Sequence, residues 1–275
     1  MITSTSNNQI KNIMTLNKKA RERKAQRLFV VEGIRAVAEV PASLLHAIYY
    51  VEGFSSSADG AAFISEISAK APSVPMEEVA KKVFDSMSDT VTPQGVLALV
   101  KMQDFTMEDV LGNGRPAHIV ILESLQDPGN MGTIIRTAEG AGATGIIMNT
   151  TTVDLYSPKV VRSTMGSIFR VPHLVVSDLG ATLTELKEKH GVSVYAAHLK
   201  GEKFYDEFDY SGPTAFMIGN EGNGLTDETA ALATSYLKIP MEGQLESLNA
   251  SVAASILMYE ASRQRRCAFP LKTEV

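Results

Sequence analysis

The first 104 residues alternate between short apolar runs and stretches with helical spacing. Apolar side chains at Ile10, Ile13 and Met14 fall on one face of a helix predicted over residues 7–26. Runs rich in β-branched and aromatic residues predict strands over residues 28–32, 47–51 and 96–102, and amphipathic stretches predict helices over residues 34–39, 58–71 and 79–87. This alternation predicts a small α/β/α domain, which we assign to residues 1–104.

The rest of the chain alternates strands and helices throughout. Apolar runs predict strands over residues 119–122, 145–148, 171–176, 192–197 and 214–218, and helices are predicted over residues 131–141, 158–165, 179–190 and 247–266. In the last helix, one face carries Leu248, Val252, Ile256 and Tyr259. Such alternation is typical of a mostly parallel sheet covered on both sides. Turn residues over residues 105–116 indicate a linker before this second domain of residues 117–275.

Three segments with an unusual mixture of glycine, amide and charged residues each follow a buried apolar run. Motif 1 is Asn130-Met-Gly-Thr-Ile-Ile-Arg136, and motif 2 is Gly219-Asn-Glu-Gly-Asn-Gly-Leu225. Motif 3 is Ile239-Pro-Met-Glu-Gly243 together with Ser247-Leu-Asn-Ala-Ser251. Open α/β sheets place their ligands outside the carboxyl ends of the strands. The three motifs therefore predict an active site made by loops at one edge of the sheet.

In this order and at this spacing, the motifs resemble those of the SpoU family of SPOUT RNA ribose 2′-O-methyltransferases. The resemblance runs from about residue 116 to the end of the sequence, and the preceding segment resembles the substrate-binding domain that many members carry in front. It implies a C-terminal SPOUT domain with a mostly parallel sheet and a deep trefoil knot, preceded by a small α/β/α domain like those of ribosomal proteins. Periodicity does not predict a knot, so this feature rests on the resemblance alone.

The resemblance also implies that a methyl group is transferred from S-adenosylmethionine to a ribose 2′-hydroxyl. It assigns catalytic roles to five residues of the motifs, which are Asn130, Arg136, Glu221, Ser247 and Asn249. Arginine is a poor base because its pKa exceeds about 12, so Arg136 is expected to clamp a phosphate and to stabilise the developing alkoxide. The structural alternatives are a salt bridge from Arg136 to Glu139 or Glu221, and helix capping by Asn130 and Ser247.

S-adenosylmethionine is expected to bind largely through main-chain groups of the loops. The resemblance assigns it to Gly219, Ile239 and Leu248, and the predicted cofactor set also includes Asn220, Met241 and Ala197. Glycine allows the backbone to approach a ligand closely, although tight turns alone would also account for the glycines of motif 2. Without the resemblance, Ile239 and Leu248 would be assigned to the hydrophobic core.

Charge is distributed unevenly along the chain. The formal net charge is −5, yet the first 35 residues carry about +6, from eight basic residues against Glu22 and Glu32, which leaves about −11 on the rest. A local basic stripe can bind phosphates even in an acidic protein. RNA contacts are therefore predicted at Lys18, Lys19, Arg21, Arg23 and Lys24. The resemblance adds Lys159 and Arg162, for which solvated helix charges are the alternative.

Composition limits the other classes of protein. Cys267 is the single cysteine, which excludes an intramolecular disulfide framework. No stretch approaches the roughly twenty apolar residues of a membrane span, and the first residues lack the apolar run of a signal peptide. The histidines show no metal-ligand spacing with one another or with the cysteine. We therefore expect a cytoplasmic protein without a membrane or metal partner.

Two other functions fit the sequence less well. A Rossmann dinucleotide site requires Gly-x-Gly-x-x-Gly after the first strand, whereas the glycines of motif 2 have another order and come late in the chain. A catalytically inactive RNA-binding protein is the closer alternative, although all five predicted catalytic residues are present. The basic first helix followed by Leu28-Phe-Val-Val-Glu-Gly33 resembles bacterial members that act on 23S ribosomal RNA. The expectation is thus a homodimer that methylates this RNA, with transfer RNA as the alternative substrate.

Overall fold

The computed structural model describes residues 1–245 and 247–268, and its contacts divide the chain into two compact units. The first unit consists of residues Met1–Asp104 and Asp154–Phe169, and the second of Phe105–Val153 and the chain from Arg170 onward. The segment Asp154–Phe169 falls inside the predicted domain of residues 117–275, yet it packs with the first unit. The chain therefore leaves the second unit between motifs 1 and 2 and then returns to it.

A mixed sheet of four strands forms the centre of the first unit. Its strands are β1 (Leu28–Glu32), β2 (Leu45–Val51), β3 (Met76–Val79) and β4 (Val96–Lys101), in the order β1-β4-β2-β3. β4 is antiparallel to both neighbours, and β2 is parallel to β3. The helices of this part of the chain are α1 (Asn8–Lys18), α2 (Ala20–Gln26), α3 (Ile34–Ala38), α4 (Ala58–Lys70) and α5 (Lys81–Met87).

The predicted elements of the first unit are confirmed with two differences. The helix predicted over residues 7–26 is interrupted at Lys19, whose backbone is extended with φ −120° and ψ 108°. Arg23 donates to the carbonyls of Leu16 and Asn17, which satisfies acceptors that the end of α1 leaves without helical partners. The second difference is β3, which was not predicted because two of its four residues are glutamates.

Within the described residues, seven parallel strands form the sheet of the second unit. They are β5 (His118–Leu122), β6 (Gly145–Asn149), β7 (His173–Val176), β8 (Ser193–Ala197), β9 (Lys203–Phe204), β10 (Thr214–Ile218) and β11 (Ser235–Lys238), in the order β7-β6-β5-β10-β8-β11-β9. Every neighbouring pair is parallel, as predicted. The helices of this unit are α6 (Met107–Leu111), α7 (Pro128–Ala141), α9 (Leu179–Glu188), α10 (Asp227–Ala230) and α11 (Ala250–Ala268), whereas α8 (Pro158–Thr164) belongs to the first unit.

Apolar residues from strands and helices bury both faces of this sheet. One cluster joins Ile119 and Ile121 of β5 with Met217 of β10 and Leu183 of α9, all of them almost fully buried. The segment predicted as a linker contributes to the same cluster, because Val110 of α6 is buried in it. A capping box between Thr106 and Asp109 begins this helix. The helix was not predicted because turn residues lie on either side of it.

The three motifs lie at the carboxyl edge of the parallel sheet. Motif 1 follows β5, motif 2 follows its neighbour β10, and motif 3 follows β11, which is separated from β10 by β8. This placement confirms the prediction of loops at strand ends. The trefoil knot implied by the resemblance stays a prediction. Among the described helices, none is both long enough and apolar enough to cross a membrane.

Candidate active site

Motif 1 begins inside a helix that the local sequence starts three residues earlier than predicted. Asp127 caps α7 by accepting a hydrogen bond from the N–H of Asn130 at 2.8 Å, and Pro128 occupies the first helical position. Proline suits that position because its fixed φ is helical and no N–H is needed there. This start places Asn130 in the first turn of α7, where its side chain is buried with 7% exposure.

Glu221 of motif 2 is bound to the start of α7 through three hydrogen bonds. Its Oε1 accepts from the N–H of Asp127 at 2.8 Å and from Nδ2 of Asn130 at 3.0 Å. Its Oε2 accepts from the N–H of Gln126 at 2.9 Å. Burial alone would raise the pKa of Glu221, but these hydrogen bonds outweigh it and hold the pKa below its ordinary value. The carboxylate therefore stays ionised at neutral pH.

Asn249 connects motif 3 to the same group. Its Nδ2 donates to Oδ1 of Asn130 at 2.9 Å, while its Oδ1 accepts from the N–H groups of Ser251 and Val252 at 2.9 and 3.3 Å. The last two bonds cap α11, which explains why this helix begins at Ala250 rather than at the predicted residue 247. Asn130 thus bridges Glu221 and Asn249, and one continuous hydrogen-bond chain joins all three motifs.

Motif 2 folds back on itself as a closed loop. Asn220 and Gly224 exchange backbone hydrogen bonds of 3.0 and 2.9 Å, and Oδ1 of Asn220 accepts from the N–H groups of Gly222 and Asn223. The Nδ2 of Asn220 donates to the carbonyl of Ser124 at 2.9 Å, which ties the loop to the end of β5. Asn220 therefore holds the loop together, in addition to its predicted place near the cofactor.

Gly219 is required by the loop itself. A Cβ at this position would lie 2.1 Å from the carbonyl carbon of Gly224 and 2.2 Å from the N of Leu225, both of which are backbone atoms. Among the described glycines of the three motifs, Gly224 alone has a positive φ, at +69°. The tight-turn alternative therefore accounts for Gly219 without any ligand, and its identity alone gives no support to a cofactor contact.

Three of the predicted cofactor residues lie at the carboxyl ends of three neighbouring strands. Gly219 follows β10, Ala197 ends β8, and Ile239 follows β11, so Ala197 lies between the other two along the order β10-β8-β11. Ile239 and Leu248 are only half-buried, and so are the other predicted cofactor residues Asn220, Met241, Ala197 and Gly219. These residues accordingly remain accessible at the edge of the sheet and are not sealed in the core.

Arg136 is exposed on α7 and has no partner within the described part of the chain. Both structural alternatives for it are absent there, since Glu139 pairs with Arg170 and Glu221 accepts the bonds described above. Six residues correspond to about 1.7 helical turns, so Arg136 and Asn130 point to different faces of α7. The guanidinium is thus presented to solvent, where a phosphate or a second subunit can reach it. Ser247 is exposed as well.

The predicted RNA-binding residues divide into three groups. Lys18, Lys19, Arg21 and Lys24 are exposed at the junction of α1 and α2 without partners among the described residues, and Lys159 is exposed on α8. Arg162 forms an ion pair with Asp89 at 2.8 Å. The prediction for Arg23 is wrong, because this residue is only 4% exposed and its guanidinium pairs with Asp154. It therefore stabilises the first unit and is not available to RNA.

Sequence reasoning missed Glu123, a buried carboxylate at the end of β5. Glu123 accepts from the N–H and Oγ1 of Thr226 at 2.8 Å each and from Oγ1 of Thr229. These bonds fasten the chain directly after motif 2 to the strand that carries motif 1. The position of an acidic residue directly after an apolar strand was a signal that could have been used. No cluster of three or more His, Cys, Asp or Glu side chains suited to a metal ion occurs in the described residues.

Comparison with known proteins agrees with this geometry. Residues 117–259 match the SpoU rRNA Methylase family, and residues 7–98 match the MRM3-like substrate binding domain. A curated relative, the 23S rRNA (guanosine(2553)-2′-O)-methyltransferase RlmP of Bacillus subtilis, is 36% identical over 181 residues, which are 66% of this chain and 70% of the relative.

Solved structures extend the similarity over both units. A crystal structure of an RNA 2′-O ribose methyltransferase superposes with a TM-score of 0.77 and 33% identity, covering 96% of this chain and 98% of the other. The SpoU methyltransferase AviRb from Streptomyces viridochromogenes, in complex with the cofactor AdoMet, gives a TM-score of 0.82 with 26% identity and covers 95% and 100%.

Proposed function

Because this chain belongs to the SpoU rRNA methylase family, we propose that it transfers the methyl group of S-adenosylmethionine to a ribose 2′-hydroxyl of 23S ribosomal RNA. The observation that carries the proposal is the hydrogen-bond chain Glu221–Asn130–Asn249, which joins the three motifs at one edge of the sheet. An RNA methyltransferase needs a donor pocket and an acceptor site at a fixed distance and orientation. The hydrogen bonds from Glu221 through Asn130 to Asn249 hold the three motifs in such a fixed arrangement.

The residues present fit the cofactor. Ile239, Met241 and Leu248 are half-buried and provide apolar surface for an adenine, and the ends of β8, β10 and β11 provide main-chain groups for its polar atoms. When bound, S-adenosylmethionine supplies an electrophilic methyl group on a sulfonium. The loop of motif 2, which Asn220 keeps closed and Glu221 fastens to motif 1, would help to hold the cofactor at this edge.

The protein's own part in the reaction is to orient the ribose and to stabilise charge. Methyl transfer would join the 2′-oxygen to the methyl carbon while the carbon–sulfur bond breaks and its electron pair stays on the sulfur, and the hydroxyl proton would pass to solvent. Arg136, unpaired within the described chain, stabilises the developing negative charge on that oxygen and clamps the adjoining phosphate. Asn130 and Asn249 act as positioning residues, and exposed Ser247 contributes a hydroxyl to the bound RNA.

Two surfaces complete the proposal. The exposed cations Lys18, Lys19, Arg21 and Lys24 bind RNA phosphates in the unit that matches a substrate-binding domain. A second copy of the chain covers the outer face of α11, where Val252 and Tyr259 are 46% and 48% exposed. Ala254, Leu257, Met258 and Ala261 on the opposite face of α11 are already buried. A homodimer of this kind would bring Arg136 of the neighbouring helix α7 to the interface.

The experiment is a methyl-transfer assay with the purified protein. S-adenosylmethionine labelled in its methyl group would be offered with 23S ribosomal RNA and, separately, with transfer RNA, and the modified nucleotide would be mapped. We expect label in a ribose 2′-O-methyl group of the 23S RNA. Label in transfer RNA alone would show that transfer RNA, and not 23S RNA, is the substrate. Label on a base would contradict the proposed methylation of a ribose. Cofactor binding without methylation of either RNA would favour the catalytically inactive alternative.

A further inference from the structure

A cavity of about 350 Å³ opens at the edge of the second unit's sheet that is opposite to the motifs. It is lined by Arg115, Pro116, Gly142, Thr144 and Arg265. Pro116 precedes β5, whereas motif 1 follows this strand. Five residues at about 3.3 Å each separate the two ends of β5, so the cavity lies roughly 17 Å from the methyl-transfer loops. It is therefore distinct from the candidate active site.

Arg265 brings an uncompensated positive charge to this cavity. Its guanidinium donates to four backbone carbonyls, those of Tyr210, Pro116, Ala117 and Gly212, at 2.7 to 3.1 Å. Carbonyls are dipoles without net charge, and Arg265 forms no ion pair with any residue that the structure describes. Four of the five N–H donors are used in this way, which leaves one N–H on Nη1. Burial lowers the pKa of Arg265 to about 10, and no carboxylate of the described residues offsets that burial.

Arg115 supplies a second positive charge to the same cavity. Its side chain is exposed and has neither a hydrogen bond nor an ion pair within the described residues. Two other arginines of this unit are neutralised, since Arg170 pairs with Glu139 and Arg263 pairs with Glu260, whereas Arg136 forms no ion pair within the described residues. Two guanidinium groups thus line one open cavity to which no described residue contributes a carboxylate, in the part of the chain that is acidic overall. A bound anion would neutralise the positive charges of these two guanidinium groups.

We propose that this cavity binds a phosphate-type oxyanion between the guanidinium of Arg115 and the remaining N–H of Arg265. Guanidinium groups suit phosphate because their planar donors match its oxygens and remain charged. Such an oxyanion has two sources: a phosphodiester of bound RNA, which rests on the proposed function, or a free phosphate. An open cavity of 350 Å³ accommodates the sugar atoms on either side of a phosphodiester, which favours RNA.

The test substitutes Arg115, because it is exposed and its loss should leave the fold intact. Inorganic phosphate would be added to the full-length protein at constant ionic strength, with chloride as the reference salt, and thermal unfolding would be followed. We expect phosphate to raise the unfolding temperature of the wild type and to have no such effect on Arg115→Gln. The matched control is Arg263→Gln, which removes an exposed arginine from α11 outside the cavity and should respond like the wild type.

The second arm measures RNA binding as a function of salt concentration. If the source is RNA, Arg115→Gln should bind 23S RNA roughly tenfold more weakly, and the logarithmic salt slope should fall by roughly 0.7 to 0.9. A phosphate effect with unchanged RNA binding would assign the cavity to a free phosphate. Absence of a phosphate effect in the wild type would overturn the proposal, even with weaker RNA binding, because Arg115 would then act only as an exposed charge. The phosphate arm needs no RNA, so it is decided independently of methylation.

Discussion

Replacing Asn130 with aspartate tests the hydrogen-bond chain that joins the three motifs. The Nδ2 of Asn130 donates to Oε1 of Glu221 at 3.0 Å, so Asn130→Asp places two carboxylate oxygens at that distance. Two unit charges 3.0 Å apart repel by about 1.4 kcal/mol at a dielectric constant of 80 and about 5.5 kcal/mol at 20. Because Asn130 is buried and Glu221 is partly exposed, we expect an intermediate destabilisation of about 3 kcal/mol at pH 7.5.

Urea unfolding and methyl-transfer turnover would measure this effect. Asn113→Asp is the matched control, because Asn113 contacts Asp109 at 3.4 Å but is exposed. The free energy of unfolding of this variant should therefore fall by less than about 1 kcal/mol. In Asn130→Asp, repulsion raises the pKa of the introduced carboxyl group and of Glu221, so a proton shared between them should reduce the destabilisation as the pH falls to about 5. Turnover at pH 7.5 should fall at least roughly tenfold. Wild-type stability at pH 7.5, or an equal deficit at both pH values, would refute the reasoning.

Four further predictions follow from the same structure. Arg136→Ala should remove about 3 kcal/mol of transition-state stabilisation and so lower turnover, without changing cofactor affinity in calorimetry. Near-normal turnover would contradict the proposed stabilisation of the 2′-oxygen by Arg136. Gly219→Ala should destabilise the protein by about 1–3 kcal/mol in urea unfolding, because its Cβ meets backbone. In contrast, Gly243→Ala, which meets nothing within 4 Å, should be neutral. Reversing the charges of Lys18, Lys19, Arg21 and Lys24 should weaken RNA binding and flatten its salt dependence, while an unaltered slope would exclude this surface. Burial lowers the pKa of His118 to about 3 and that of His173 to about 4, so the unfolded chain binds protons that the folded chain does not. Stability should accordingly fall below about pH 6.5 by up to about 1.4 kcal/mol per pH unit for each histidine, and His118→Gln should make that slope shallower between pH 6.5 and about 5.

Local pattern was sufficient to predict most elements and their layers. Buried strands such as β5 and β10 are continuous apolar runs, which identify themselves without tertiary information. Elements that depend on remote partners were not predictable. Lys19 interrupts the first helix where Arg23 caps α1, and the position of that guanidinium depends on Asp154, which lies 131 residues further along. The strand β3 carries two glutamates and is recognisable only from its pairing with β2.

For the candidate site, the motifs were predictable but the contacts within it were not. The chain Glu221–Asn130–Asn249 exists because β5 and β10 are neighbours, a consequence of strand order that single-sequence periodicity does not contain. The sequence suggested that Gly219 is a glycine because a ligand approaches its backbone. In the structure, the backbone of Gly224 lies too close for a side chain at this position. The burial of Arg23 was hidden for a similar reason, since a basic residue in a basic helix resembles its exposed neighbours.

The assignment of Asp154–Phe169 to the first unit affects the order in which the protein can fold during synthesis. Domains generally fold as units from the N-terminus as the chain emerges. Here the ring of Phe29 packs against Tyr156 at 4.8 Å and Phe169 at 6.3 Å, and the buried Arg23 needs Asp154 as its counter-ion. A nascent chain that ends between residues 105 and 153 leaves that charge buried without a partner, which costs about 3–5 kcal/mol. Maturation of the N-terminal unit therefore waits until residues 154–169 have been translated, and a gene truncated at the apparent linker would not encode a self-sufficient domain.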